Sequence, residues 1–154
     1  MKSDIDDHAF VAIDYANGVR ASFTLNMFCP DFSEELIVVG DAGCLKAEEY
    51  HDIHRSGSGN ASLTLRLGEN GLSKTTDLTY PRAIEQSGHH GSTYFEHIAL
   101  MDRLEGKEVN SATPLQGMWA IVVASAAQQS LATGEPVDVD TFIADNDLAS
   151  LLNQ

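Results

Sequence analysis

The first part of the chain alternates apolar and polar residues, as a strand does when it buries one of its faces. Between residues 19 and 28, apolar side chains occupy every second position and polar side chains lie between them. Residues 8–15 are also rich in strand-forming types, and Asn17-Gly18 between the two runs is a strong signal for a tight hairpin turn. The pattern therefore predicts an antiparallel hairpin at the start of the chain.

The strand pattern continues as far as Tyr80, interrupted by turn residues. Residues 35–39 are apolar on both faces, which predicts a central strand, and a glycine-containing turn leads into residues 44–47. Residues 50–55 suit a short strand, residues 56–60 a flexible loop, and two further strands meet at the turn 69–71. Six or seven strands joined by short turns predict an antiparallel meander and not a parallel sheet with crossover helices.

The hydrophobic period changes from two residues to a helical spacing in the segment GHHGSTYFEHIALMDRLEG, residues 88–106. Thr93 followed three residues later by Glu96 matches a capping box, so we expect a helix that begins near Thr93. Gly106 stands where a C-terminal cap belongs. This segment marks the point where the sheet ends and the helices begin.

A second helix is predicted from Thr113-Pro114 to about Thr133, with Gln116 completing another capping box and Gly134 closing it. We interpret Val137 and Val139 as a short returning strand, and the acidic tail 140–154 as a final short helix. The expected fold class is α+β: an open, mainly antiparallel sheet with helices packed on one face. Residues 1–154 are expected to form a single domain.

The amino-acid composition of the chain limits the classes of molecule that it is expected to bind. Nine Lys and Arg against 23 Asp and Glu give a net charge of −14, which opposes binding to nucleic acid or to an anionic membrane surface. No apolar run approaches the roughly 20 residues of a transmembrane helix, and the first residues lack the apolar core of a signal peptide. We therefore expect a cytoplasmic chain. Cys29 and Cys44 are interpreted as small buried thiols without a disulfide.

The motifs VGDAGCL, HHGSTYFEHIALMDRLEG and SLATGEPV occur in an order that resembles the C-terminal domain of the Gfo/Idh/MocA oxidoreductases, the glucose-fructose oxidoreductase and inositol dehydrogenase family. The resemblance extends from about Asp7 to Val139. It implies a domain that supplies substrate-pocket walls and oligomer contacts, while an N-terminal Rossmann domain binds NAD or NADP. The chain contains neither a G-x-G-x-x-G turn after a strand nor the family's Glu-Lys-Pro motif. It therefore resembles a fragment, which we expect to be inactive and without catalytic residues of its own.

The candidate substrate site lies at His89 and His90, in a turn between two glycines and ahead of a helix N-terminus. Free N–H groups and the helix dipole there favour an anionic or hydroxyl-rich ligand, although a polar loop that merely caps the helix has the same sequence features. His90 resembles the family's substrate-facing His-Gly turn, but Ser92 replaces the second glycine often found there. Tyr94, one helical turn further on, is a possible second contact.

Two functions from different classes are compatible with these residues. The first is the substrate-binding and oligomerisation domain of an NAD(P)-dependent oxidoreductase that acts on a sugar, a polyol or a related hydroxylated molecule. The second is a stand-alone ligand-binding or protein-interaction module without catalytic activity. The coding sequence upstream of Met1 would distinguish them, because only the first function requires a dinucleotide-binding domain in frame.

Two further patterns concern metals and partners. His51 and His54 form an H-x-x-H pair, but strand residues three apart point to opposite faces, so a metal site is not predicted. A strand that is apolar on both faces would leave one side exposed in a monomer. We therefore expect a homodimer or higher homo-oligomer, associating through the sheet face away from the helices.

Overall fold

A computed structural model describes residues 7–29, 32–51, 59–68 and 71–152 of the chain, with the backbone alone for His51 and His90. The described residues form six strands, five α-helices and one 3-10 turn, and both sheets are antiparallel. The predicted α+β class is therefore confirmed. The chain divides into two compact units, a strand-rich unit, Met1–His97, and a helical unit, Ile98–Gln154.

The predicted hairpin is present as strands β1 (His8–Asp14) and β2 (Arg20–Asn26). Val11 lies opposite Phe23 in this two-stranded sheet. In the turn, Gly18 has a φ of 85°, and the side-chain oxygen of Asn17 accepts a hydrogen bond from the Val19 N–H at 3.1 Å. The Asn-Gly pair thus supplies both the backbone conformation and the hydrogen bond that reverse the chain.

The second sheet is a four-stranded meander in which each strand pairs with the next along the chain, as predicted. Its strands are β3 (Phe32–Gly40), β4 (Gly43–His51), β5 (Gly59–Leu67) and β6 (Ser73–Leu78). The prediction of β3 as a central strand is wrong, since β3 is at an edge of this sheet. Gly59 and Asn60 belong to β5 and not to a loop, because pairing with His51 and Tyr50 overrides their local preference for turns. The rest of that predicted loop, and His54, lie outside the described residues.

Strand alternation gives the four-stranded sheet two different faces. The charged face carries Lys46, whose Nζ donates to Glu35 at 2.7 Å and to Glu48 at 2.6 Å, and a hydrogen bond of 2.9 Å between Thr64 and Thr75. The opposite, apolar face carries aliphatic side chains on three neighbouring strands. Its central members are Leu36, Val38, Leu45, Ala47, Leu63 and Leu65.

The strand-rich unit continues into α1 (Arg82–Glu85), a 3-10 turn (His89–Gly91) and the first six residues of α2 (Ser92–Leu104). The predicted capping box of Thr93 and Glu96 is wrong. Ser92 already has helical angles, φ −56° and ψ −44°, because the 3-10 turn leads directly into the helix. Thr93 therefore lies inside the first turn of the helix, where it cannot act as its N-cap.

The end of α2 has the glycine cap that the sequence predicts. Gly106 has a φ of 78°, its N–H donates to the Arg103 carbonyl, and the Lys107 N–H donates to the Asp102 carbonyl. These two hydrogen bonds have the spacing of a Schellman motif, which satisfies carbonyls that the last helical turn leaves unpaired.

The next helix, α3 (Pro114–Thr133), has the predicted caps at both ends. The Gln116 N–H donates to the Thr113 hydroxyl at 3.2 Å, and the Thr113 N–H donates to the Gln116 side chain at 2.8 Å. At the other end Gly134 adopts the left-handed conformation, with a φ of 74°. Both ends of α3 are therefore set by local sequence.

Two short helices follow, α4 (Val139–Asp145) and α5 (Ala149–Leu152). The predicted strand at Val137 and Val139 is wrong, because Asp138 caps α4 by accepting a hydrogen bond from the Thr141 N–H at 2.8 Å. The core of the helical unit consists of Val122, Ala126 and Phe142. Surrounding it are the partly buried side chains of Val137, Val139, Ile143, Leu148 and Leu152.

The two cysteines differ in exposure. Cys44 on β4 is half-buried, whereas Cys29 is exposed, so the prediction of a buried thiol is wrong at Cys29. Strand β2 ends at Asn26, and Cys29 follows the turn beyond it, where no sheet face covers it. Both thiols are free, as predicted.

Candidate functional site

A pocket of about 330 Å³ lies in the strand-rich unit, between the ends of two strands and the start of α2. Its volume is within the range of small-molecule sites, about 300–1,000 Å³. The sheet contributes Phe32 and Glu34 from β3 and Glu49 from β4. The helical side contributes His89, Ser92, Thr93 and Glu96.

The strand side of the pocket is fixed by the register of β3 and β4. Glu34 lies directly opposite Glu49, and the next pair on the same face is Leu36 with Ala47. The pocket is therefore at the edge of the apolar face, where aliphatic side chains give way to carboxylates. Phe32 is half-buried and supplies an aromatic surface beside them.

The helical side is positioned by the glycine-rich turn. Gly88 has a φ of 106°, a backbone conformation that favours glycine, and a Cβ placed there would make a tight contact of 3.2 Å with the Thr93 hydroxyl. His89 adopts a φ of 42°, which is uncommon for a residue other than glycine. This turn brings His89 to the same pocket as Ser92 and Glu96 on the first turns of α2.

The structure brings together some of the predicted site residues and separates others. His89 lines the pocket, whereas the side chain of His90 lies outside the described residues. Tyr94 is not among the residues that line the pocket. Its ring packs edge-on against Phe95, with 5.3 Å between the ring centroids. His97 does not line the pocket, and its Nδ1 donates a hydrogen bond to the Thr93 carbonyl at 2.7 Å.

Sequence reasoning did not assign six of the seven lining residues to the substrate site: Phe32, Glu34, Glu49, Ser92, Thr93 and Glu96. Ser92 and Glu96 could have been inferred from helical spacing, because residues four positions apart lie on the same face of a helix. Tyr94 lies on a different face. Glu34 and Glu49 gave no comparable signal, because 15 positions separate them in the sequence and only the strand register places them together.

The pocket is acidic and rich in hydrogen-bonding groups. Three carboxylates line it, and its described lining contains neither lysine nor arginine. The carboxylates accept hydrogen bonds, while the hydroxyls of Ser92 and Thr93 and the imidazole of His89 both donate and accept. Such a set suits a ligand with several hydroxyl groups.

The described residues do not fit a dinucleotide cofactor. Their strands are joined as antiparallel neighbours, and no described strand leads through a glycine-rich turn into a helix and a parallel partner strand. Within the part of the chain that the structure describes, no three His, Cys, Asp or Glu side chains are grouped as a metal site needs. No described helix is both long and apolar enough to cross a membrane.

Comparison with models of known protein families gives a match. The family model for the C-terminal alpha/beta domain of an oxidoreductase family covers residues 2–139. This range includes both sheets, the pocket and helices α1 to α3. A sequence search against curated proteins found no match.

Proposed function

Because the chain belongs to the Gfo/Idh/MocA oxidoreductase family, as a C-terminal alpha/beta domain, we propose that it is the substrate-binding and oligomerisation domain of an NAD(P)-dependent oxidoreductase. The proposed substrate is a sugar, a polyol or a related hydroxylated small molecule. The observation that carries this proposal is the pocket at the start of α2, in which the predicted residue His89 lies beside two hydroxyl side chains.

The chemistry of the pocket supports a hydroxyl-bearing substrate. A neutral imidazole donates one hydrogen bond and accepts another, which matches a hydroxyl group, and Ser92 and Thr93 have the same dual capacity. Phe32 offers an apolar surface for the carbon-bound face of a sugar ring. The pocket therefore combines the polar and apolar contacts that a polyol requires.

We assign the cofactor to a separate N-terminal domain of the Rossmann type. Family members generally bind NAD or NADP in that domain, and the described residues of this chain do not fit a dinucleotide. The chain by itself is therefore expected to orient substrate without catalysing its oxidation. We also expect the protein to act in the cytoplasm.

The test of substrate binding is a calorimetric titration of the chain with neutral monosaccharides and polyols. We expect His89→Ala to weaken binding about tenfold, the effect of losing one or two hydrogen bonds. His97→Ala is the matched control, because His97 is also a histidine of this segment but does not line the pocket. His90→Ala tests the residue that the family resemblance favours.

Melting temperatures of all three variants separate a binding role from a structural one. A His89 variant with unchanged affinity and a lowered melting temperature would assign His89 to the fold of the turn. Failure of the wild-type chain to bind any member of the panel would contradict the proposed function.

We also propose self-association through the charged face, which lies on the side of the sheet opposite the pocket. Ile37 and Val39 are 51% and 76% exposed on β3, beside the Lys46 ion pairs. Exposed aliphatic side chains among charges are typical of a partly wet interface between copies of a chain. Sedimentation of the wild type as a dimer at tens of micromolar, and of Val39→Glu as a monomer, is the expected result. A monomeric wild type would contradict it.

A further inference from the structure

Helix α1 lies just ahead of the turn that carries His89, and one of its side chains is held beside that turn. Ile84 is half-buried, whereas the other three residues of α1 are exposed. The Ile84 carbonyl accepts two hydrogen bonds from Ser87, one from the backbone N–H at 2.9 Å and one from the hydroxyl at 2.6 Å. Because a four-residue helix is not stable by itself, these bonds help to fix the backbone of Ile84.

The side chain of Ile84 packs against the backbone of Gly91, the last residue of the 3-10 turn. A Cβ added to Gly91 would lie 3.0 Å from Cγ2 of Ile84 and 3.3 Å from its carbonyl oxygen. Glycine therefore lets the backbone of the turn approach Ile84 directly. Since isoleucine is branched at Cβ, its Cγ2 has little rotational freedom and presents a fixed surface to the turn.

The same turn holds His89 in an unusual backbone conformation. Its φ of 42° costs free energy in a residue other than glycine, and it persists only where neighbouring groups enforce it. The Gly91 N–H donates to the Gly88 carbonyl at 3.0 Å, which closes the turn around His89. Apart from its chain neighbours, the described atoms nearest to a Cβ added to Gly91 all belong to Ile84. Ile84 is therefore the residue that supports this end of the turn.

We propose that Ile84 is a positioning residue for the pocket: its Cγ2 holds Gly91, and the turn so held directs His89 into the pocket. Ile84 does not itself line the pocket. This inference rests on the proposed function and deepens it, because it names the residue that orients the proposed ligand contact. The alternative role for Ile84 is apolar burial that stabilises the fold without affecting His89.

Two conservative variants distinguish these roles. Ile84→Val retains the methyl group that contacts Gly91 and loses only the terminal carbon, whereas Ile84→Leu retains the side-chain volume and lacks a methyl group on Cβ. Apolar burial alone favours Ile84→Leu, because it removes no buried carbon. A positioning role favours Ile84→Val. Both variants should fold, since aliphatic exchanges of similar volume are the best tolerated in protein interiors.

The first measurement is made by NMR and needs no ligand. A positive φ places the amide and α protons of a residue close together, so His89 should give a strong intraresidue nuclear Overhauser effect. We expect this effect to persist in the wild type and in Ile84→Val, and to weaken in Ile84→Leu as His89 relaxes to a negative φ.

The second measurement is a calorimetric titration with glucose and sorbitol as the neutral monosaccharide and the polyol. Ile84→Leu should weaken binding by about fivefold to tenfold, close to the effect of His89→Ala, and Ile84→Val by less than about twofold. In a His89→Ala background, Ile84→Leu should cause no further loss. Two substitutions that act through the same group are not additive, whereas a separate effect on the fold would add to the first.

The outcomes separate this inference from the function beneath it. Binding by Ile84→Leu that is as tight as binding by Ile84→Val overturns the positioning role and leaves the proposed function standing. A loss of equal size with and without His89 also overturns it. Failure of the wild type to bind either probe contradicts the proposed function. In that case the Overhauser effect still decides the role of Ile84, because an undiminished effect in Ile84→Leu shows that Ile84 does not hold His89.

Discussion

The helical unit and the strand-rich unit differ in how much they bury. The helical unit has an apolar core in which Val122, Ala126 and Phe142 are each at most 9% exposed. Among the described residues of the strand-rich unit, only Gly91 falls in the buried class. Its aliphatic residues, such as Leu36 at 60% and Val38 at 53%, remain half-exposed. Helices α3 and α4 bury apolar side chains against each other, whereas a single sheet layer needs a second layer to cover it.

This difference indicates where stability originates in each unit. Substitutions in the helical core remove packing, while those on the sheet faces remove side chains that water already reaches. The stability of the strand-rich unit depends more on the backbone hydrogen bonds between its strands and on the conformations of its turns. Exposed apolar patches of this kind mark surfaces that bind another protein surface. The self-association proposed above covers Ile37 and Val39 on the charged face, and not Leu36 and Val38 on the apolar face.

The largest expected effect is at Phe142. Phe142→Ala should lower the free energy of unfolding by about 3 kcal/mol, because the ring is 9% exposed and its removal leaves a cavity. Phe10→Ala, at a position that is 80% exposed in the strand-rich unit, should cost less than about 0.5 kcal/mol. Denaturant unfolding of both variants measures the contrast. Equal losses would show that the strand-rich unit buries Phe10 as well.

An intermediate effect is expected at Gly91, the buried residue of the strand-rich unit. Its φ is 100°, and an added Cβ would meet the Ile84 side chain at 3.0 Å, so Gly91→Ala should cost about 2 to 3 kcal/mol through strain and crowding. Gly106→Ala is the control: it also has a positive φ, of 78°, but open space around it. It should cost about 1 kcal/mol. Thermal unfolding in parallel tests whether crowding, and not φ alone, distinguishes the two.

The smallest expected effect is a pH dependence in the helical unit. A hydrogen bond from the Thr141 backbone N–H, and then one from its side chain, lowers the pKa of Asp138 below its ordinary value of 3.8. A depressed folded pKa stabilises the fold above the unfolded pKa, and this contribution is lost as the pH falls through the folded value. Asp138→Asn retains a capping oxygen but does not titrate.

The measurement is the melting temperature of both proteins between about pH 6 and pH 3. The wild type should lose more stability than Asp138→Asn over this range. Parallel curves for the two proteins would show that the cap carries no charge-dependent stabilisation.

The elements that sequence analysis predicted correctly are those fixed by local chemistry. The Asn17-Gly18 hairpin and the capping box of Thr113 and Gln116 need only residues within a few positions of each other. The position of β3 in its sheet depends on strand order, which its apolar composition does not encode. At Thr93 the sequence matches a capping box, but the preceding 3-10 turn leads directly into the helix at Ser92. The capping-box pattern does not take such a turn into account.

The same distinction applies to the pocket. His89 was predicted because glycines on both sides and a following helix mark its turn. Tyr94 was predicted because it follows His90 by one helical turn. The pocket is instead lined by other residues of α2, and the Tyr94 ring packs against Phe95. Glu34 and Glu49 required knowledge of the register between two strands, which is a property of the folded sheet.

That register is held by a two-residue turn, Asp41-Ala42, between the paired glycines Gly40 and Gly43. A shift of β3 by one residue would exchange the side chains on its two faces. Here the exchange replaces Glu34 by Glu35, Leu36 by Ile37 and Val38 by Val39, each by a residue of the same character. An insertion in this turn that shifts β3 in this direction would therefore still place a carboxylate in the pocket, whereas a shift in the opposite direction would place Ser33 there and Glu35 at the position of Leu36. The repeated residue types along β3 therefore make the acidic pocket tolerant of a register shift in one direction only.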